Sequence, residues 1–264
     1  MAALLAGCAL GGPKAGAGGD GGTGTPDSGP SGIDASPTSD SATPVTQMYV
    51  HTSDTLYVMD DQTFSLTLIG NFGLGATDQI TDLAVTPDNA LYGISNSKLY
   101  EIDKDTGAAT YRADVPGVAN VGLTFLKDGT LLATDKAGGV RTVNPTSGAV
   151  KEIGSFGGGY ATAGDLVAVS DGTMYAISDE GPVGDEYTNN VLLTVDTDTG
   201  VASPVGQIGF GGVFGVAYAS GHVYAFTNMG QVIEIDRTTG AGSPIKTYPV
   251  EFWGAAVTPL VQVN

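Results

Sequence analysis

Residues 80–110 read ITDLAVTPDNALYGISNSKLYEIDKDTGAAT. Three short alternating apolar segments follow one another there, and Pro, Asn, Asp and Gly close each of them. Alternation with a period of two, bounded by turn residues, is the pattern of strands. The same order of segments returns along the chain. Segments like ITDLAVTP (80–87) recur as VGLTFLKD (121–128), GDLVAVSD (164–171), FGVAYASG (214–221) and FWGAAVTP (252–259). Segments like LYGISN (91–96) recur as MYVHTS (48–53), LLATD (131–135), MYAISD (174–179) and VYAFTN (223–228). Segments like LYEID (99–103) recur as LYVMD (56–60), VRTVN (140–144), LLTVD (192–196) and VIEID (232–236). Four of these last five run into DKDTG, NPTSG, DTDTG or DRTTG, whereas the first has Phe64 where the glycine would stand.

Intervening runs such as SLTLIGNFG and VKEIGSFGGG supply a fourth strand. Repeats spaced by roughly 40–50 residues, with four strands in each, predict propeller blades. Five copies of each segment predict five blades. The copies begin with the second segment type at Met48 and end with the first type at Pro259, so the closing blade takes strands from both ends. A ring closed in this way has no free sheet edge. The fold class expected is therefore all-β, a five-bladed β-propeller over residues 46–264. A β-sandwich and an irregular β-solenoid fit the regular four-segment order less well.

Composition narrows the partners. Ten Lys and Arg against 28 Asp and Glu give a formal charge of −18, which repels phosphate backbones, so nucleic acid is not an expected partner. One cysteine among 264 residues allows no internal disulfide and no cluster of thiolate metal ligands. Residues 9–45 are rich in Gly, Ser, Thr, Pro and Asp, with no aromatic and few branched apolar side chains, so a disordered tether is expected there.

Leu5-Ala-Gly-Cys8 resembles the lipobox of bacterial lipoproteins, in which the cysteine is acylated and becomes the mature N-terminus. The resemblance implies lipidation at Cys8, a membrane anchor, and residues 1–8 as the remnant of a signal peptide whose true start lies upstream of Met1. Ala9 after the cysteine suggests the outer membrane, facing periplasm or exterior. The repeats resemble the YVTN/NHL-like bacterial propellers over residues 47–264, a class that hosts many unrelated functions.

That resemblance makes ITDLAVTP and its copies the innermost strands, entered from the face where ligands usually bind. Aligning them gives the column Asp82, Gly122, Asp165, Gly215, Gly254. Two carboxylates in a crowded axial ring can lock blades through backbone N–H groups, hold a cation or water, or do chemistry. Glu251, Trp253, Tyr160 and Tyr187 are further binding candidates near that mouth, Trp253 as an aromatic platform. Asp179, Glu180, Asp185 and Glu186 form a dense oxygen set in the longest insertion, a candidate metal loop whose spacing matches no familiar calcium loop. The Asp-x-x-Thr-Gly turns are explained by turn chemistry without metal. His51 and His222 carry no evident partner pattern.

Neither G-x-S-x-G, H-E-x-x-H nor a P-loop occurs. The reading expected is a non-catalytic binding or scaffold module without a cofactor, tethered in the cell envelope and facing an envelope protein or glycan. One alternative is a glycoside-processing enzyme like the arabinanase-like five-bladed propellers, using Asp82, Asp165 and Glu251. The other is a structural envelope lipoprotein with no ligand.

Overall fold

The computed structural model describes residues 46–117, 119–180 and 189–260. Twenty strands form five four-stranded antiparallel sheets. Blade 1 opens with β1 (Gln47–His51), β2 (Thr55–Asp60) and β3 (Leu66–Asn71). Blade 2 is β4 (Asp82–Val85), β5 (Leu91–Ile94), β6 (Lys98–Ile102) and β7 (Ala109–Asp114). Blade 3 is β8 (Asn120–Phe125), β9 (Leu131–Asp135), β10 (Gly139–Val143) and β11 (Val150–Ser155). Blade 4 is β12 (Ala161–Ala168), β13 (Met174–Glu180), β14 (Val191–Val195) and β15 (Ala202–Gln207). Blade 5 is β16 (Val213–Ala219), β17 (His222–Thr227), β18 (Gln231–Ile235) and β19 (Gly242–Thr247). The last strand, β20 (Gly254–Ala256), joins blade 1 in the order β20-β1-β2-β3. Its register is Tyr49↔Ala256, Val50↔Ala255 and His51↔Gly254. The five-bladed ring and its shared closing blade are as the repeat order predicts.

Inner strands are apolar on both faces because each blade is packed between two others. In β9 the side chains of Leu131 and Ala133 enter the cluster shared with blade 2, and Leu132 between them enters the one shared with blade 4. Every pair of neighbouring blades has such a cluster: Tyr49 and Phe72 meet Ile80 and Leu83, for example, and Met48 and Val50 meet Val216 and Phe226. A fully buried side chain of this size contributes about 1.5–3 kcal/mol. The outermost strands are different. In β3, β11 and β15 every side chain is half-buried or exposed and none is fully buried, as befits an edge strand.

The turns between third and fourth strands are built alike. Oδ1 of Asp103 accepts from the N–H groups of Asp105 and Thr106 at 2.9 and 2.8 Å. Asp60, Asn144, Asp196 and Asp236 do the same in their own turns. The closing glycine, at positive φ, faces the outer strand of the preceding blade: a Cβ on Gly240 would lie 2.6 Å from the carbonyl oxygen of Gly206. At the seam between blades 5 and 1 the counterpart is Phe64, held at φ 52°. Its carbonyl accepts from Lys246 Nζ at 3.2 Å and from the Tyr248 hydroxyl, and its ring packs edge-on against Tyr224 at 5.3 Å.

Candidate functional site: the axial ring and the mouth above it

The inner strands bring Asp82, Gly122, Asp165, Gly215 and Gly254 to one level. Both carboxyl groups are fully buried. Asp82 Oδ1 accepts from the Leu83 N–H at 2.8 Å, and Oδ2 from Leu123 in blade 3 at 2.6 Å. Asp165 Oδ1 accepts from Leu166 at 2.6 Å. Its Oδ2 accepts from Val216 in blade 5 at 2.7 Å and from Ala255 in blade 1 at 2.9 Å. Two side chains thus tie all five blades: one joins blades 2 and 3, the other blades 4, 5 and 1. Glycine fills the remaining ring positions because the carboxyls and neighbouring backbone occupy the space. A Cβ on Gly215 would come within 3.0 Å of the Gly254 carbonyl carbon.

Burial pushes both carboxyls well above the ordinary carboxylate range, and for Asp82 the charge of Asp165 pushes the same way. Three backbone donors favour the charged form of Asp165 against only two for Asp82. Of the two interacting carboxyls, Asp82 is therefore the one pushed more towards its protonated form. His51, which had no evident role in the sequence, lies beside them. Its Nδ1 lies 2.7 Å from the Thr52 carbonyl, so it donates there and leaves Nε2 as a buried acceptor without a protein partner. Nε2 and Asp82 Oδ1 stand 2.5 and 2.7 Å from the point where a Cβ on Gly254 would be. Burial lowers the imidazole to about 4, so His51 is neutral at pH 7.

Immediately above the ring, the residue before each ring position faces outward. Thr81, Val121, Gly164, Phe214 and Trp253 form this second tier, and with Ala163, Thr162, Lys136 and Asp179 they line a cavity of about 210 Å³. The lining is predominantly apolar, with Phe214 and Trp253 half-buried in its wall. Thr162 is almost fully buried and its hydroxyl has no protein partner. Asp179, at the end of β13, is buried and already engaged in an interaction of its own. Lys136 is carried on the turn that follows β9. The Asp135 carboxylate fixes that turn by accepting from Ala137 and Gly139 at 2.9 and 3.0 Å, and it pairs with the buried Arg141.

The residues singled out in the sequence separate accordingly. Asp82 and Asp165 are buried in the axial ring and do not line the cavity, whereas Trp253 lies in its wall. Asp179 joins that wall as well. Glu251 is exposed and lies outside the cavity lining. Tyr160 packs on the apolar cluster between blades 3 and 4, away from the cavity. Cys8, Asp185, Glu186, Tyr187 and the Glu180 side chain lie outside the described residues. Among the described residues no three His, Cys, Asp or Glu side chains come together as a metal site. Sequence reasoning missed His51, Lys136, Thr162 and Phe214. The column one residue before the axial ring carries Phe214 and would have found it. His51 needed the β1–β20 register, and Lys136 belongs to a loop with no repeat to betray it.

No protein-family model and no curated protein matches the chain. Solved structures do. A chain of the crystallised nidogen/laminin complex is 12% identical with a TM-score of 0.55, covering 80% of this chain and 98% of that one. A Bacteroides thetaiotaomicron protein of unknown function is 18% identical with a TM-score of 0.49, over 68% of this chain and 53% of its own. A Bacteroides caccae protein, also of unknown function, is 12% identical with a TM-score of 0.47, over 81% of this chain and 98% of its own. In all, 1022 solved chains match, so the likeness concerns the propeller fold and selects no single function.

Proposed function

We propose that this chain is a non-catalytic binding module, tethered to the cell envelope through Cys8, that presents the mouth of its propeller to an envelope protein or glycan. The observation that carries the reading is the cavity of about 210 Å³ above the axial ring, walled by Phe214 and Trp253. Apolar pockets with a few polar groups are where ligands bind, and loops on one face of a repeat array commonly provide them. Hydrolysis of a glycoside would require carboxylates open to the sugar. Asp82 and Asp165 are instead fully buried and occupied by backbone N–H groups. The tether rests on the resemblance of Leu5-Ala-Gly-Cys8 to a lipobox.

Two measurements test the two halves. Envelope proteins and glycans captured by the full chain should be lost with Trp253→Ala or Phe214→Ala while thermal unfolding is little changed. Capture that is indifferent to both substitutions removes the mouth as the binding face. A chain given a complete leader ahead of Leu5 should incorporate a labelled fatty acid in a bacterial host and lose it in Cys8→Ala. Equal labelling of both would end the lipoprotein reading.

A further inference from the structure

Nine of the ten Lys and Arg residues lie in the described part of the chain, and seven of them are engaged. Lys98, Arg112 and Arg141 pair with carboxylates. Lys104, Lys127 and Lys246 donate to backbone carbonyls, and Arg237 is held by the Tyr175 and Tyr218 hydroxyls. Lys151 and Lys136 make no ion pair or hydrogen bond with the described residues. Lys151 points outward from β11, the exposed edge of blade 3. Lys136 lines the mouth cavity. On a surface carrying a formal charge of −18, a lysine that lines an apolar cavity and is unengaged among the described residues is a specific feature. Thr162 also lines the cavity, almost fully buried, and its hydroxyl has no hydrogen-bond partner. A buried hydroxyl left unpaired is costly, so a ligand acceptor there would be favoured. The aromatic faces of Phe214 and Trp253 suit a flat apolar body, and an ammonium with a hydroxyl suits a carboxylate.

Resting on the mouth as the binding face, we infer that the cavity takes a flat apolar group carrying one carboxylate. Its ring packs between Trp253 and Phe214, and its oxygens accept from Lys136 and Thr162. That chemistry is shared by a small free aryl acid and by an aromatic residue at the carboxy-terminus of a partner protein. Asp179 is not assigned to the ligand, since it is engaged already.

Trp253 is the chain's single tryptophan, so its indole N–H gives one resonance that reports directly on the mouth. The full chain is titrated with phenylacetate, 2-phenylethanol and phenethylamine, which share a ring and differ in charge. Phenylacetate should saturate the Trp253 shift at a dissociation constant on the order of 1 mM, as expected for so small a ligand. It should bind about tenfold more tightly than the alcohol, the worth of one charge-assisted hydrogen bond. Lys136→Gln should abolish that preference and leave the alcohol unchanged, and Thr162→Val should weaken the acid severalfold. The peptide Gly-Gly-Phe against its amide separates the sources: a gain over phenylacetate points to a chain terminus, exclusion to a free acid. Equal binding of acid and alcohol, or a preference for the amine, overturns the carboxylate inference and leaves the mouth as a binding face. Failure of every probe to saturate also overturns it, and the dependence of capture on Trp253 then judges the mouth separately.

Discussion

Asp165 and Asp82 have the same side chain at the same ring level, yet they should respond differently to substitution. Asp165→Ala leaves three buried N–H groups from three blades unpaired, and should cost about 3–5 kcal/mol in denaturant unfolding. Asp82→Asn keeps one acceptor in a side chain of the same shape and should cost only about 1–2 kcal/mol. Their pH dependence differs in sign from that of His51. Unfolded His51 takes up a proton near pH 6.5 and the folded ring only near 4, so its contribution makes stability rise with pH across that window. The full effect is on the order of 3 kcal/mol and is lost as pH falls to about 4. The upward push on the Asp82 carboxyl acts oppositely, because its contribution is fully present below the ordinary carboxylate value and declines as pH rises above it. Asp82→Asn removes only the second effect, so its unfolding free energy should climb more steeply than the wild type's between pH 4 and 6.5. A shallower climb would overturn the upward push on Asp82. The Asp–Gly alternation of this ring is legible in the sequence, because inner strands repeat and align. The imidazole's place beside it is not, since His51 reaches the axis through pairing with a strand some two hundred positions away.

The element that repeats most faithfully is the turn between third and fourth strands, and there the turn chemistry read from sequence is the turn chemistry observed. Asp60, Asp103, Asp196 and Asp236 are all held below the ordinary carboxylate range, chiefly by the N–H and hydroxyl groups of the threonines that follow them. Their stabilisation is present above the ordinary carboxylate value and is lost as pH falls through the lowered one, so acid should loosen these turns. What the sequence does not reveal is that the closing glycine also serves as a contact between blades. Gly240→Ala and Gly172→Ala both place an alanine at positive φ, a strain of about 1–2 kcal/mol. A Cβ on Gly172 meets nothing, whereas on Gly240 it meets the backbone of Gly206. Gly240→Ala should therefore lower the unfolding midpoint clearly more than Gly172→Ala, and equal losses would mean that φ alone explains the glycine. Phe64 breaks the repeat at the seam with blade 5, where Lys246 and Tyr248 donate to its carbonyl.

At the scale of the whole molecule, the ring stands or falls with blade 1. Removing residues 252–264 strips β20, the Ala255 N–H bound by Asp165, and Phe252 from the cluster shared by blades 4, 5 and 1. Such a chain should lose its single cooperative unfolding transition, and retention of a sharp one would show that four blades and an open fifth suffice. The order of strand types made this closure readable from the sequence, because the segments begin and end out of phase with the blades. The mouth was less readable, since Lys136 sits on a turn with no repeat and Thr162 and Asp179 sit at the ends of β12 and β13, where the blades differ from one another. The position of β1 also has a mechanical meaning. It lies between β20 and β2 and is almost wholly buried, so it is not an edge that can be peeled away. A pull delivered through the residues ahead of Gln47 would load two hydrogen-bonded ladders in shear at once. That is the arrangement by which a ring bears tension at its first strand without its blades coming apart.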